Sequence, residues 1–177
     1  AAASASFFAK PGVVSVIGQD LPKEYLSLLK KRSIDLSGLS ESKRNFRWSG
    51  SYEFDMSEAK TLKTELNSLG TFKPTLPQHF RDCHFLFLAN IDPDLQLQVI
   101  KQMKQRPFTV LDTMNFWINT KKKDLLKVIK KVDLVVINEG EARQLFDTPN
   151  LITAGKALIK MGPKYAVIKK GEHGALL

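Results

Sequence analysis

Cysteine is nearly missing from this chain: Cys83 is the single example in 177 residues, and no C-x-x-C or Cys/His cluster occurs. No disulfide framework or thiolate-based zinc site can be built from it. Cys83, which opens the apolar run D-C-H-F-L-F-L, reads as a buried structural thiol, and a reducing cytoplasm fits that usage. Histidine is almost as scarce, with His79, His84 and His173 too scattered to form a ligand set. No apolar stretch approaches the roughly 20 residues that span a bilayer. The opening A-A-A-S-A-S-F-F-A-K lacks the basic start and long apolar region of a secretory signal, and reads as the end of a helix whose beginning is missing. Two glycine signatures are also lacking. Neither G-x-x-x-x-G-K-[ST] nor G-x-G-x-x-G occurs, which argues against classical P-loop sites and dinucleotide oxidoreductases.

What is present is an ordinary globular composition, 43% hydrophobic, sufficient for one sizeable core. Lys and Arg outnumber Asp and Glu by 27 to 18, a surplus that favours anionic partners without selecting among nucleotides, sugar phosphates, nucleic acid or a membrane surface. The densest basic stretch, N-T-K-K-K-D-L-L-K-V-I-K-K-V, interleaves Leu125, Leu126, Val128 and Ile129 with Lys127, Lys130 and Lys131 at helical spacing. It reads as an amphipathic helix with a solvated lysine face rather than a nucleic-acid-binding helix.

Strands alternate with helices along the chain. Gly12 to Gly18, G-V-V-S-V-I-G, is a β-rich run closed by glycine, and Lys23 to Arg32 carries Leu26, Leu28 and Leu29 as an amphipathic helix. Arg44 to Phe54 alternates Phe46, Trp48 and Tyr52 with polar residues around Ser49-Gly50, which predicts a short hairpin exposed on one face. Such a flap covers a ligand or packs on a neighbouring chain. From Cys83 the alternation is regular. Strands are expected at Phe85 to Ala89, Phe108 to Leu111, Leu134 to Ile137 and Tyr165 to Ile168. Helices are expected at Asp94 to Gln105, Lys123 to Lys131, around Glu141 to Phe146, and at Leu151 to Met161. This pattern implies an α/β fold with right-handed crossovers and a largely parallel sheet covered on both faces.

In such sheets ligands bind beyond the carboxyl ends of the strands. Those ends read Gly18-Gln19-Asp20, Asn90-Ile91-Asp92, Asp112-Thr113-Met114-Asn115, Asn138-Glu139-Gly140-Glu141 and Lys169-Lys170-Gly171-Glu172. Polar groups converging along one edge define a candidate site. Asn138 followed by Glu139 and Glu141 also suits a helix start, where an Asn cap and first-turn carboxylates satisfy free N–H groups and the dipole.

Taken in order, four stretches resemble the ribokinase-like family, the PfkB carbohydrate kinases, across nearly the whole chain. They are G-V-V-S-V-I-G-Q-D-L-P-K-E-Y-L-S-L-L-K-K-R-S-I-D-L-S-G-L, L-D-T-M-N-F-W, V-D-L-V-V-I-N-E-G-E-A and G-P-K-Y-A-V-I-K-K-G-E-H-G-A-L. The N-x-x-E element at Asn138 and Glu141 is the most specific part. The resemblance implies a three-layer α/β/α fold with a small β lid at 37–55, within one domain over 1–177 that is incomplete at both ends. It also implies transfer of the ATP γ-phosphoryl group to an alcohol of a sugar or nucleoside, with Mg²⁺.

By the same resemblance, Asn138 and Glu141 organise Mg²⁺ through water, and the turn at Lys169 and Gly171 meets ATP. Asp112 and Asn115 lie near the phosphates, and Arg47, Tyr52 and Asn90 are substrate contacts. Lid strands in this family also form dimer contacts. Its glycine-rich G-G-x-x-x-N element is expected before Ala1, and its G-A-G-D motif, which carries the catalytic base, after Leu177. No residue of this sequence is assigned that base. A non-catalytic sensor on the same fold and a basic nucleic-acid-binding module remain the alternative readings.

Overall fold

Four β-branched residues between two glycines make Gly12–Gly18 a strand (β1), preceded by a short helix at Ala2–Ala5 (α1). The structure, a computed structural model, describes residues 1–54 and 59–177. It falls into two compact units, Ala1–Phe80 and Arg81–Leu177.

In the first unit a helix at Lys23–Lys31 (α2) connects β1 to Asp35–Ser42 (β2), and the two strands pair in parallel. Leu26 and Leu29 are half-buried on α2, while Leu28, expected on the same face, is exposed. The Phe80 ring lies across the pair where only glycine leaves room: a Cβ at Gly12 would stand 2.3 Å from the ring, and one at Gly38 would stand 2.5 Å from the Val13 carbonyl. Arg47–Tyr52 (β3) and Ala59–Glu65 (β4) form an antiparallel hairpin. The hairpin is larger than the one read from sequence. Ser49-Gly50 is a register shift inside β3, a bulge, and the partner strand is β4. The expected lid segment 37–55 thus divides between β2 and β3, and its residue 55 lies outside the described residues.

The second unit carries the regular alternation. Its elements run Phe85–Leu88 (β5), Pro93–Gln102 (α3), Phe108–Asp112 (β6), Asn115–Thr120 (α4), Lys122–Ile129 (α5), Leu134–Asn138 (β7), Glu139–Phe146 (α6), Leu151–Lys160 (α7), Tyr165–Lys169 (β8) and Ala175–Leu176 (β9). The sheet has the order β5-β6-β7-β8-β9; the first four strands are parallel and β9 runs antiparallel to β8. Helix α3 stops at Gln102, short of the expected Gln105, where Met103 takes an extended backbone conformation.

Side chains of alternate strand residues separate the two faces. Leu88, Leu111, Val135, Ile137, Ala166 and Ile168 join Ile118, Leu125, Val128, Ala142, Ala154 and Leu158 of the helices in one core. The opposite face carries Phe85, Phe87 and Tyr165, which are exposed, with half-buried Phe108, Val110, Leu134, Val136 and Val167 between them. The helices that join this core pack on the first of these faces. Strands added in sequence order by crossovers of one hand bring every helix to the same side.

At the amino edge of this sheet Asp133 is buried and accepts from the Thr109 N–H at 3.0 Å, with Lys164 and Arg106 at 3.3 and 3.6 Å. Burial pushes its carboxyl up, but the Thr109 N–H and the two cations outweigh this and hold it below the usual range.

Candidate active site

β7 ends at Asn138 and α6 begins at Glu139 with no loop between, so the helix start opens at the carboxyl edge of the sheet. Asn138 Oδ1 accepts from the Glu141 N–H at 2.7 Å, and Glu141 Oε2 accepts from the Asn138 N–H at 2.8 Å. This reciprocal pair closes a capping box, a device in which the cap residue contributes about 1 kcal/mol to stability. Glu141 is 8% exposed, so its charge sits at a nearly dry helix N-terminus.

Neighbouring strands bring the other expected residues to this edge. Lys169 is the register partner of Asn138, and Asp112 ends β6 one strand away. Asp112 is half-buried; burial pushes its carboxyl up, while the nearby Lys169 charge acts in the opposite direction. Asn115 is exposed at the start of α4, and Gly171 opens the turn after β8 with φ +56°, a backbone setting that favours glycine. Asn90 follows β5, and its Oδ1 accepts from Trp117 Nε1 at 2.9 Å. Part of its hydrogen-bonding capacity is therefore used within the fold.

The other expected positions lie in the first unit. Asp20, which follows β1, accepts from the Asn45 N–H at 2.7 Å and from Arg47 at 3.0 Å, and those contacts hold its carboxyl below the usual range. Arg47 is therefore tied to the foot of the hairpin, although its side chain is 67% exposed. Tyr52 is exposed at the far end of β3. A shallow cavity of about 450 Å³ is lined by Phe46, Arg47, Trp48, Ser49, Lys63 and Glu65.

Sequence reasoning named Asp92 and Thr113 at the strand ends but missed Lys121 and Gln96, which join them at the carboxyl edge. Lys121 donates to both Asp92 oxygens at 3.0 and 2.8 Å and to Asp94 at 2.8 Å; Asp92 also caps α3. These two carboxylates raise the Lys121 ammonium well above its ordinary range. Gln96 is buried under the ends of β5 and β6, and Thr113 is buried beside Asp112. A glutamine on the 93, 97, 100 stripe of α3 was the available signal for Gln96.

The donor set suits a hydrated Mg²⁺ rather than a protein cage. Among the described residues no group of three or more His, Cys, Asp and Glu is placed to hold a metal. Mg²⁺ keeps several waters and needs only one or two carboxylates beside substrate phosphates, which Glu141 and Asp112 are able to supply. The α6 N–H groups and Lys169 suit phosphate oxygens.

The chain superposes on an Escherichia coli ribokinase II described in complex with ATP and Mg²⁺, with TM-score 0.78 at 14% identity, over 98% of this chain and 61% of the other. A nucleoside kinase from Methanocaldococcus jannaschii, an archaeal member of the ribokinase family, gives TM-score 0.71 at 16% identity, over 99% and 57%. The fold is the ribokinase-like α/β fold. Residues 51–177 match the pfkB family of carbohydrate kinases, and the chain belongs to that family. It is 28% identical over 173 residues to a cytidine kinase of Thermococcus kodakarensis, covering 96% of this chain and 61% of the relative's length. Among the described residues no helix is long and apolar enough to cross a membrane.

Proposed function

We propose that these residues form the central part of an ATP- and Mg²⁺-dependent kinase that phosphorylates an alcohol of a sugar. The observation that carries this reading is the Asn138–Glu141 pair, locked at a helix start on the carboxyl edge beside Asp112 and Lys169. Mg²⁺ bound there through water supplies neutralisation of phosphate charge, the main electrostatic requirement of phosphoryl transfer. The chain's own groups do the positioning. Glu141 and Asp112 orient water around the metal, the α6 N–H groups and Lys169 hold phosphate oxygens, and Gly171 lets backbone approach the nucleotide. In this reading the hairpin β3–β4 of the first unit is a lid element that carries the substrate contacts Arg47 and Tyr52, and in the second unit Asn90 is a further substrate contact.

A second reading makes the acceptor a nucleoside. It is favoured by the cytidine kinase relative, and by the exposed Phe46, Trp48 and Tyr52, aromatic faces on which a base can stack. In either case the partner is a small molecule in a reducing cytoplasm, with the lid strands forming a homodimer contact. The basic helix α5 is read as a solvated face and not as a nucleic-acid surface. α5 buries Leu125, Val128 and Ile129, so Lys127, Lys130 and Lys131 form its solvent face.

The test is an acceptor screen on the full-length protein with Mg²⁺-ATP, following ADP release across pentoses, hexoses, sugar phosphates and nucleosides. Release with one acceptor class identifies the substrate. Release with none sinks the kinase reading in favour of a non-catalytic nucleotide or sugar sensor.

A further inference from the structure

We infer that Gln96 is a positioning residue for the candidate active site: its side-chain amide fixes the ends of β5 and β6 against each other and thereby places Asn90 relative to Asp112. The catalytic half of this inference rests on the kinase reading; the mechanical half does not.

Gln96 sits on the inward face of α3 and is 1% exposed. Its Nε2 donates to two backbone carbonyls, Ala89 at 2.9 Å and Asp112 at 3.3 Å. The ladder between β5 and β6 makes its last pairing at Leu88 and Leu111, so both carbonyls lie just past it. One amide group takes the place of the next rung. It grips the residue before Asn90 on one side and Asp112 itself on the other.

Packing alone is a poor reason for this residue. Gln96 Oε1 is buried with no hydrogen-bond partner, and an unpaired buried acceptor costs stability that an apolar side chain of similar volume avoids. The donor end of the amide is fully used and the acceptor end is idle. Thr113 Oγ1, the next residue after Asp112, is likewise buried without a partner. The remaining such atom among the described residues, Ser68 Oγ, belongs to the other unit. Polar groups held at a cost thus concentrate where β5 and β6 end, next to the residues whose spacing phosphoryl transfer depends on.

The experiment compares Gln96→Met and Gln96→Leu with the wild type in the full-length protein, and reads amide hydrogen exchange at 89–91 and 112–114 beside steady-state kinetics. The expected result is faster exchange at those amides, with a loss of thermal stability no larger than two missing hydrogen bonds account for. With it, kcat falls about tenfold or more while KM for ATP and acceptor changes little, as displacement of reacting groups by a fraction of an ångström produces. Unchanged exchange, or unchanged kcat per folded molecule in an active enzyme, overturns the inference. A wild-type protein that phosphorylates no acceptor marks failure of the kinase reading instead, before any variant is considered. The exchange comparison then decides the mechanical half by itself. Should one variant fold poorly, the other carries the comparison.

Discussion

Glu141 has two duties that one substitution separates. Glutamine at this position still closes a capping box, so Glu141→Gln leaves the melting temperature almost unchanged. In the kinase reading the lost charge lowers ADP release by about tenfold or more, because metal-linked charge neutralisation carries much of the transition-state stabilisation. A parallel fall in stability and turnover would mean that Glu141 is only a cap. Asp112 works against the fold. Its carboxyl is raised by burial, so the penalty is fully present above its folded pKa and disappears below the ordinary value of 3.8. Asp112→Asn is therefore expected to raise the melting temperature at pH 7, with the difference closing as pH falls through that range, while phosphoryl transfer weakens. That Asn90, Asp112, Asn115, Asn138, Glu141, Lys169 and Gly171 lie at the carboxyl edge was legible because each stands at or shortly after the end of a parallel strand. Gln96, Trp117 and Lys121 were not, because their roles depend on which side chains meet after folding; Trp117 reaches Asn90 across 27 residues and Lys121 reaches Asp92 across 29.

Strands β1, β5, β6, β7 and β8 and helices α2, α3, α5, α6 and α7 were readable from period and from Val/Ile/Leu runs. Short polar elements were not. β2, D-L-S-G-L-S-E-S, has too few apolar residues to announce a strand, and Gly38 within it argues against one until the Phe80 ring above it is seen. Gly38→Ala is expected to destabilise the first unit by about 1–3 kcal/mol, the usual cost of overpacking, measured by denaturant unfolding. The bulge in β3 was misread because Ser49-Gly50 has turn chemistry, and only the pairing with β4 shows that the strand continues. At the amino edge, Asp133 joins the starts of β6 and β8. Its carboxyl is lowered in the fold, so its contribution is present above the ordinary 3.8 and is lost as pH falls through the folded value. Thermal melts from pH 6 down to pH 2 should show Asp133→Asn losing less stability on acidification than the wild type.

Within the second unit the core helices pack on one sheet face, and the other carries exposed aromatic side chains. Phe85 is 78% exposed, and with Phe87 and Tyr165 it forms an apolar surface of the kind that drives association. The net charge of +9 opposes this by mutual repulsion, so the 177-residue chain should stay monodisperse at low salt and self-associate as salt rises. Light scattering on Phe85→Glu and Phe87→Glu is expected to move that onset to higher protein concentration; no change would place the sticky surface elsewhere. The sheet order β5-β6-β7-β8-β9 has a further consequence, for how the chain acquires its shape. Every strand lies beside the one synthesised just before it, so each pairing closes no more than one connection and no strand waits for a partner made much later. That order suits growth of the sheet in the direction of synthesis, from β5 towards β9, once enough strands are present to bury a core.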